Sequence, residues 1–159
     1  MAVLLAESMD APDGQGVALS GEDIRARLSL EPEQINDAVD ELESLGLARA
    51  LKYYGTSPYN FGQIEPTTSL AFQLRGTSVL SYDPEEDVRI VAAAIAQHKR
   101  VTGPMLQETT KLTPSRLNRA IAYLADYNII EVHAYFNTAP FSFGDALATS
   151  ATRRFLTAN

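Results

Sequence analysis

Apolar residues recur at helical spacing along much of the chain, and the clearest case is the stretch that begins at Thr113-Pro114. Threonine is a good N-cap and proline suits the first helical position, so a helix is predicted to begin there. Its apolar residues share one face, as expected for a helix that packs against a core. These residues are Leu117, Ala120, Ile121 and Leu124.

The residues before this helix predict two further helices. Asp83-Pro84 and the acids that follow are typical of a helix start, and they lead into a helical stretch at 87–98. A brief extended link at 99–101 comes next. Thr102 is then predicted to cap a short helix that ends near Thr109.

Strand-forming residues follow the third helix. Asn128 is a plausible C-cap, and residues 129–136 are rich in β-branched and aromatic side chains, which predicts a strand. A loop at 137–144 returns the chain to a second strand near 145–148. Thr149 is predicted to cap a last helix that reaches Leu156.

The first half of the chain predicts the same order of elements. They are a helix at Ala2–Met9, a longer loop at Asp13-Gly14, a helix at Gly21–Leu28 capped by Ser20, and a third helix from Pro32.

The two halves also match residue by residue. A shift of 82 positions aligns Gly21–Leu74 with Gly103–Leu156 without a gap and gives thirteen identities in 54 positions. The match continues through a loop, where Thr56–Gly62 aligns with Thr138–Gly144, and helical periodicity cannot produce that agreement. We therefore predict an internal duplication, with one domain at 1–76, a linker at 77–82 and a second domain at 83–159. The predicted class is mainly α with small β-hairpins.

This order of elements resembles the winged-helix variant of the helix-turn-helix, in which the third helix enters the major groove of DNA. Each half is similar to bacterial and archaeal winged-helix regulators. The similar segments are Leu28–Ala38, the Leu45-Gly46-Leu47 run before the hairpin, and the Thr-x-Pro-aromatic-x-Phe-Gly loop. The resemblance implies two tandem winged-helix domains, a fold that also serves as a protein–protein module.

The distribution of charge separates the two halves. The net charge is −7. Residues 1–82 hold 5 Lys/Arg and 12 Asp/Glu, so 5 − 12 = −7, and residues 83–159 hold 8 of each. An acidic first half is a poor match for a phosphate backbone.

The third helix of the second half is the candidate DNA-binding element. With Leu117 and Ile121 facing the core, Ser115, Arg119 and Tyr123 are predicted to point outward, with Arg116 on the flank. Arginine reads guanine and contacts phosphate, and Lys111, Lys99 and Arg100 could extend the same basic patch. The predicted nucleic-acid-binding residues are Lys99, Arg100, Lys111, Ser115, Arg116, Arg119 and Tyr123.

The corresponding helix of the first half is predicted to present carboxylates. They are Glu33, Asp37, Asp40 and Glu41. Such a surface repels phosphate, and a straight helix splays its carboxylates too far to hold a metal ion. It is predicted to dock a basic partner or to act as a solubilising face.

The loops that follow each first strand offer aromatic but no basic side chains. The second aromatic of each loop is predicted to fold back on its own core, and an exposed sticky tip is the alternative. The four aromatics are Tyr59, Phe61, Phe141 and Phe143.

No phosphate-binding loop, metal-ligand cluster or nucleophile motif was found, so we expect neither an enzyme nor a cofactor. With no signal peptide and no membrane-spanning run, a cytoplasmic protein that contacts no membrane is expected.

Two hypotheses follow. The first is a transcriptional regulator that binds double-stranded DNA through its second domain. The alternative is a non-enzymatic protein-interaction adaptor, homodimeric or bound to another protein. The predicted dimer contacts are Val3, Leu4 and Leu5, or Val91, Ile95 and Phe155.

Overall fold

Residues 1–9 and 18–158 are described by the computed structural model, and they divide into two units. Residues 1–9 and 18–81 belong to the first, and residues 82–158 belong to the second. Each unit combines helices with one small antiparallel sheet, which confirms the predicted α+β class. The predicted loop at Asp13-Gly14 lies outside the described residues.

The first unit packs its helices and a hairpin around one apolar core. Its elements are α1 (Ala2–Ser8), α2 (Gly21–Leu28), α3 (Pro32–Ser44), β1 (Ala48–Leu51), β2 (Gln63–Pro66) and α4 (Thr68–Gln73). Ser20 and Asp23 form a capping box at the start of α2, since each side chain accepts a hydrogen bond from the other's backbone N–H. Ile24, Ile35 and Ile64 are fully buried at the centre of the core.

The second unit has a longer first helix and a third strand. Its elements are α5 (Pro84–His98), β3 (Arg100–Thr102), α6 (Gly103–Thr110), α7 (Pro114–Asp126), β4 (Ile130–His133), β5 (Asp145–Ala148) and α8 (Ser150–Ala158). The carboxylate of Asp83 caps α5 by accepting the N–H of Glu85 at 2.9 Å, as predicted. The sheet order is β3-β5-β4, and all pairs are antiparallel.

The hairpin strands of the two units pair in the same register once 82 is added to the residue numbers of the first unit. Ala48 pairs with Pro66 in the first unit, and Ile130 pairs with Ala148 in the second. A single bridge between Leu19 and Ile64 stands where the second unit forms strand β3. Positions with positive φ also recur at this spacing, in the pairs Ser29/Lys111, Gly46/Asn128 and Gly55/Asn137.

An asparagine of the third helix holds the loop after the first hairpin strand in both units. The amide of Asn36 donates to the carbonyl of Pro58 at 3.2 Å and accepts the N–H of Asn60 at 2.9 Å. Asn118 donates to Pro140 at 3.0 Å and accepts from Ser142 at 2.9 Å. Each loop is therefore tied to its own third helix.

A glycine at the start of the second helix lets an aromatic ring of this loop approach the backbone. A Cβ at Gly21 would overlap the ring of Tyr59, and a Cβ at Gly103 would overlap the ring of Phe141. Both glycines are identical in the two halves of the chain, and the close contact explains why glycine is needed there, since any side chain would overlap the ring.

Two boundaries differ from the sequence-based predictions. The strand expected to reach Phe136 ends at His133, where the N–H of Gly144 closes the hairpin on the carbonyl of His133 at 2.7 Å. The predicted linker is partly structural, because Val79 and Leu80 pack against the core of the first unit. None of the described helices is both long and apolar enough to cross a membrane.

Candidate interaction surfaces on the third helices

Helices α3 and α7 occupy matching places in the two units and have the same length of 13 residues. Each begins with proline and buries an apolar face. In α3 this face carries Ile35, Val39 and Leu42, and in α7 it carries Leu117, Ile121 and Leu124. What each helix presents on its other sides is different.

The prediction that Ser115 points outward is wrong. Its exposed fraction is 4%, and its Oγ lies 3.2 Å from Oγ1 of Thr113. Helix α5 packs closely along α7, so a side of α7 that helical spacing alone assigns to solvent is covered by another helix.

Arg116 is engaged by the start of α5. Its Nε and Nη2 donate to the two carboxylate oxygens of Asp87 at 2.8 and 2.5 Å, and the Asp87 side chain is only 4% exposed. The guanidinium also lies over the ring of Tyr82, 4.5 Å from its centroid. This fork geometry and ring stacking are typical of a structural arginine.

Arg119 contacts the same ring. Its Nη2 donates to the Tyr82 hydroxyl at 2.6 Å, and its guanidinium carbon is 5.3 Å from the ring centroid. Tyr123 is half-buried, with its ring centroid 4.5 Å from that of Tyr127, and burial raises the pKa of its hydroxyl. The structure thus brings Arg116 and Arg119 together around Tyr82, a contact that assignment of this residue to a linker did not anticipate.

The other predicted basic residues lie outside this cluster. Lys99 and Lys111 are exposed at two turns with positive φ, one after α5 and one between α6 and α7. Arg100 lies on strand β3, and its Nη2 and Nε donate to Oδ2 of Asp145 on the neighbouring strand β5 at 2.5 and 3.1 Å. Arg100 therefore belongs to a second network.

Asp145 is the centre of that network, and sequence analysis did not identify it. Besides Arg100, it accepts from the hydroxyl of Tyr135 at 2.9 Å and lies 3.0 Å from Nδ1 of His133. Burial raises the pKa of Asp145, but the hydrogen bonds from Arg100 and Tyr135 outweigh it and leave the pKa below its usual value. The far nitrogen of His133 is 3.0 Å from Glu131.

Helix α3 presents an exposed acidic face. Glu33, Asp37, Asp40 and Glu41 are all exposed. Within the described part of the chain, their carboxylates make neither a side-chain hydrogen bond nor an ion pair. Among the described residues, no group of three or more His, Asp or Glu is placed to hold a metal ion.

The loop aromatics fold inward, as predicted for the second of each pair. Phe61 and Phe143 are 2% and 1% exposed, and Tyr59 and Phe141 are both 7% exposed. The exposed aromatics are instead Tyr54 and Phe136, at 107% and 100%. They lie in the hairpin turns, and the early end of the strand is what places Phe136 there.

The apolar dimer contacts suggested by the sequence lie mostly in the cores. Leu4, Leu5, Val91 and Ile95 are buried, so their prediction as surface contacts is wrong. Val3 is 48% exposed and Phe155 is half-buried. A helix that is apolar around much of its circumference buries more than the face that periodicity suggests.

Comparison with known proteins gives no match among protein-family models, curated proteins or solved structures.

Proposed function

We propose that this chain is a non-enzymatic protein-interaction adaptor built from two winged-helix domains that descend from one duplicated unit. The duplication is supported by features that sequence identity does not require. Strand register, the positive-φ positions and the asparagine-bound loops all recur 82 residues apart. The order of three helices followed by a hairpin supports the winged-helix assignment.

The contrast between α3 and α7 carries the functional proposal. Winged-helix proteins that read DNA need cationic side chains on the third helix that are free to meet bases and phosphates. Arg116 and Arg119 are instead bound to Asp87 and Tyr82 within their own unit. Extracting Arg116 for DNA would leave the carboxylate of Asp87 buried and without its charge partner, which is costly.

The α3 surface supplies what a protein partner would recognise. Its four carboxylates are exposed and uncompensated by described neighbours. Charged side chains of this kind steer association and select partners of opposite charge. The proposed partner surface is therefore basic, and α3 is the element that contacts it.

A charge-reversal pair tests this proposal. Asp37→Lys/Asp40→Lys changes α3, and Glu86→Lys/Glu108→Lys makes the same change in net charge on exposed positions of α5 and α6. In affinity capture from extracts of the source cells, we expect basic proteins to be retained by wild type and by the control pair but lost from the α3 pair. Chemical cross-links from a captured protein should lie on α3. Identical capture by all three forms would contradict the proposal.

DNA binding is the second candidate, because Lys99 and Lys111 are exposed and Lys111 lies in the turn before α7. Fluorescence anisotropy with a random duplex at low salt separates the two functions. The adaptor proposal expects no binding at tens of micromolar, which is within the range of ordinary non-specific affinity. Binding that is lost in Lys99→Ala/Lys111→Ala would favour DNA instead.

A further inference from the structure

The hairpin turn of the second unit presents Phe136 as an apolar knob. This side chain is fully exposed, although burial of a phenylalanine ring is normally favourable. The neighbouring residue Tyr135 is fixed, because its hydroxyl donates to Asp145 at 2.9 Å and its ring lies where a Cβ at Gly144 would be. The turn is therefore held in place on one side while Phe136 points to solvent.

A surface cavity lies beside this turn in the same unit. Its volume is about 360 Å³, and it is formed by the start of α6 and the loop at 137–144. Its walls include Pro104, Ala139, Pro140, Phe141 and Phe143, so they are largely apolar. An enclosed apolar cavity of about 150 Å³ is enough to hold a benzene ring, so this open cavity has sufficient volume for a phenyl side chain.

This surface is free of the charge that would keep two copies apart. Residues 134–144 contain no Asp, Glu, Lys, Arg or His, in a chain whose net charge is −7. Two copies that meet through surfaces bearing the same charge, such as the acidic face of α3, repel each other. Here the contact between copies carries no like-charge penalty from its own side chains.

We propose that two copies of the chain associate through this turn, with Phe136 of each copy seated in the cavity of the other. The knob and the cavity are adjacent, since Asn137 itself lines the cavity. In such a dimer the two copies are related by a two-fold rotation near the turn, so that both contacts form together and the interface is closed and self-complementary. This association adds to the proposed adaptor function and uses a surface of the second unit, so it is testable without any partner of α3.

Sedimentation equilibrium of the purified full chain, from about 1 µM to about 1 mM, tests the proposal. We expect a monomer–dimer equilibrium that Phe136→Ser weakens at least tenfold, since two buried rings are lost from each dimer. Tyr54→Ser, at the matching turn of the first unit, is the control and should leave association unchanged. Because both side chains are fully exposed, neither change should disturb the fold, and circular dichroism checks this.

A cavity-filling variant makes the test specific. Pro104 lies in the first turn of α6 and lines the cavity, so Pro104→Trp should block it and weaken self-association as Phe136→Ser does. A mixture of the two variants restores one knob and one cavity per mixed dimer, and it should associate more strongly than either variant alone. A wild-type chain that stays monomeric, a dimer that Phe136→Ser does not affect, or a mixture with no gain would each overturn the proposal.

Discussion

Helices α3 and α7 have the same length, the same proline start and the same buried spacing, yet the rest of α7 is packed within its unit whereas the rest of α3 carries exposed carboxylates. Every residue of α7 from Pro114 to Ala125 is buried or half-buried, and its arginines are bound inside the unit. On α3, Glu33, Asp37, Asp40 and Glu41 remain exposed. Formal charge on a helix therefore does not reveal what the helix can bind until its neighbours are known.

The difference follows from what each unit places beside its third helix. Helix α5 is 15 residues long and carries Asp87 on the side that meets α7. The first helix of the first unit is the 7-residue α1, in which the residue 82 positions before Asp87 is the buried Leu5. Matching cores thus permit the accessory contacts of one helix to change completely.

The largest expected effect comes from breaking the arginine contact. Arg116→Ala leaves the buried carboxylate of Asp87 without its partner, and we expect a loss of about 3 kcal/mol in the free energy of unfolding of the second unit. Hydrogen exchange of amides in α5 and α7 measures this locally. The matching change in α3, Gln34→Ala, removes one capping contact to Glu31 and should cost about 1 kcal/mol or less. Equal losses at the two positions would remove the structural distinction between the helices.

The asparagine that ties each loop to its helix offers a more even comparison. Asn118 is 9% exposed whereas Asn36 is half-exposed, and each makes two hydrogen bonds to its loop. We expect Asn118→Ala to destabilise its unit by about 2 kcal/mol and Asn36→Ala by about 1 kcal/mol, because water replaces lost bonds more readily at the exposed site. Exchange protection of the amides of Asn60 and Ser142 reports each loop. A larger effect at Asn36 would contradict this ranking.

The smallest expected effect concerns pH. The folded-state pKa of Asp145 lies below its usual value, so this carboxylate stabilises the second unit above the unfolded-state pKa of about 4. That contribution is lost as the pH falls through the folded-state pKa. Asp145→Asn should therefore lower the free energy of unfolding of the second unit by about 1 kcal/mol at pH 7; the loss is small because the partner Arg100 is well exposed to water. The loss should become smaller as the pH is lowered from about 5 to 2.

Urea unfolding of both proteins across this pH range, with exchange resolving the two units, provides the measurement. The first unit has the uncharged Gln63 at the matching position and should be equally stable in the two proteins. A difference between the proteins that stays constant with pH would show that the charge of Asp145 is not the cause.

Much of the fold was predictable because its signals are local. Ser20, Asp83 and the proline at the start of α7 act within one turn of their helices, and the predicted helix starts agree with the structure. Strand β5 was also predicted correctly, since the loop residues that precede it limit where pairing can begin. The acidic face of α3 was correctly predicted to be exposed because little packs over it.

By itself, the sequence determined the α+β class and the positions of most helices, because caps, prolines and apolar spacing act between near neighbours. It also determined which residues of the two halves match, since the alignment at a shift of 82 positions needs no structure. Only the tertiary structure decided that Arg116 binds Asp87, 29 residues away, and that Phe136 projects from a turn instead of a strand. Those outcomes depend on how α5 packs on α7 and where the ladder between β4 and β5 ends. Helical and strand periodicity assign a side chain to a face, but the neighbouring elements determine whether that face meets solvent.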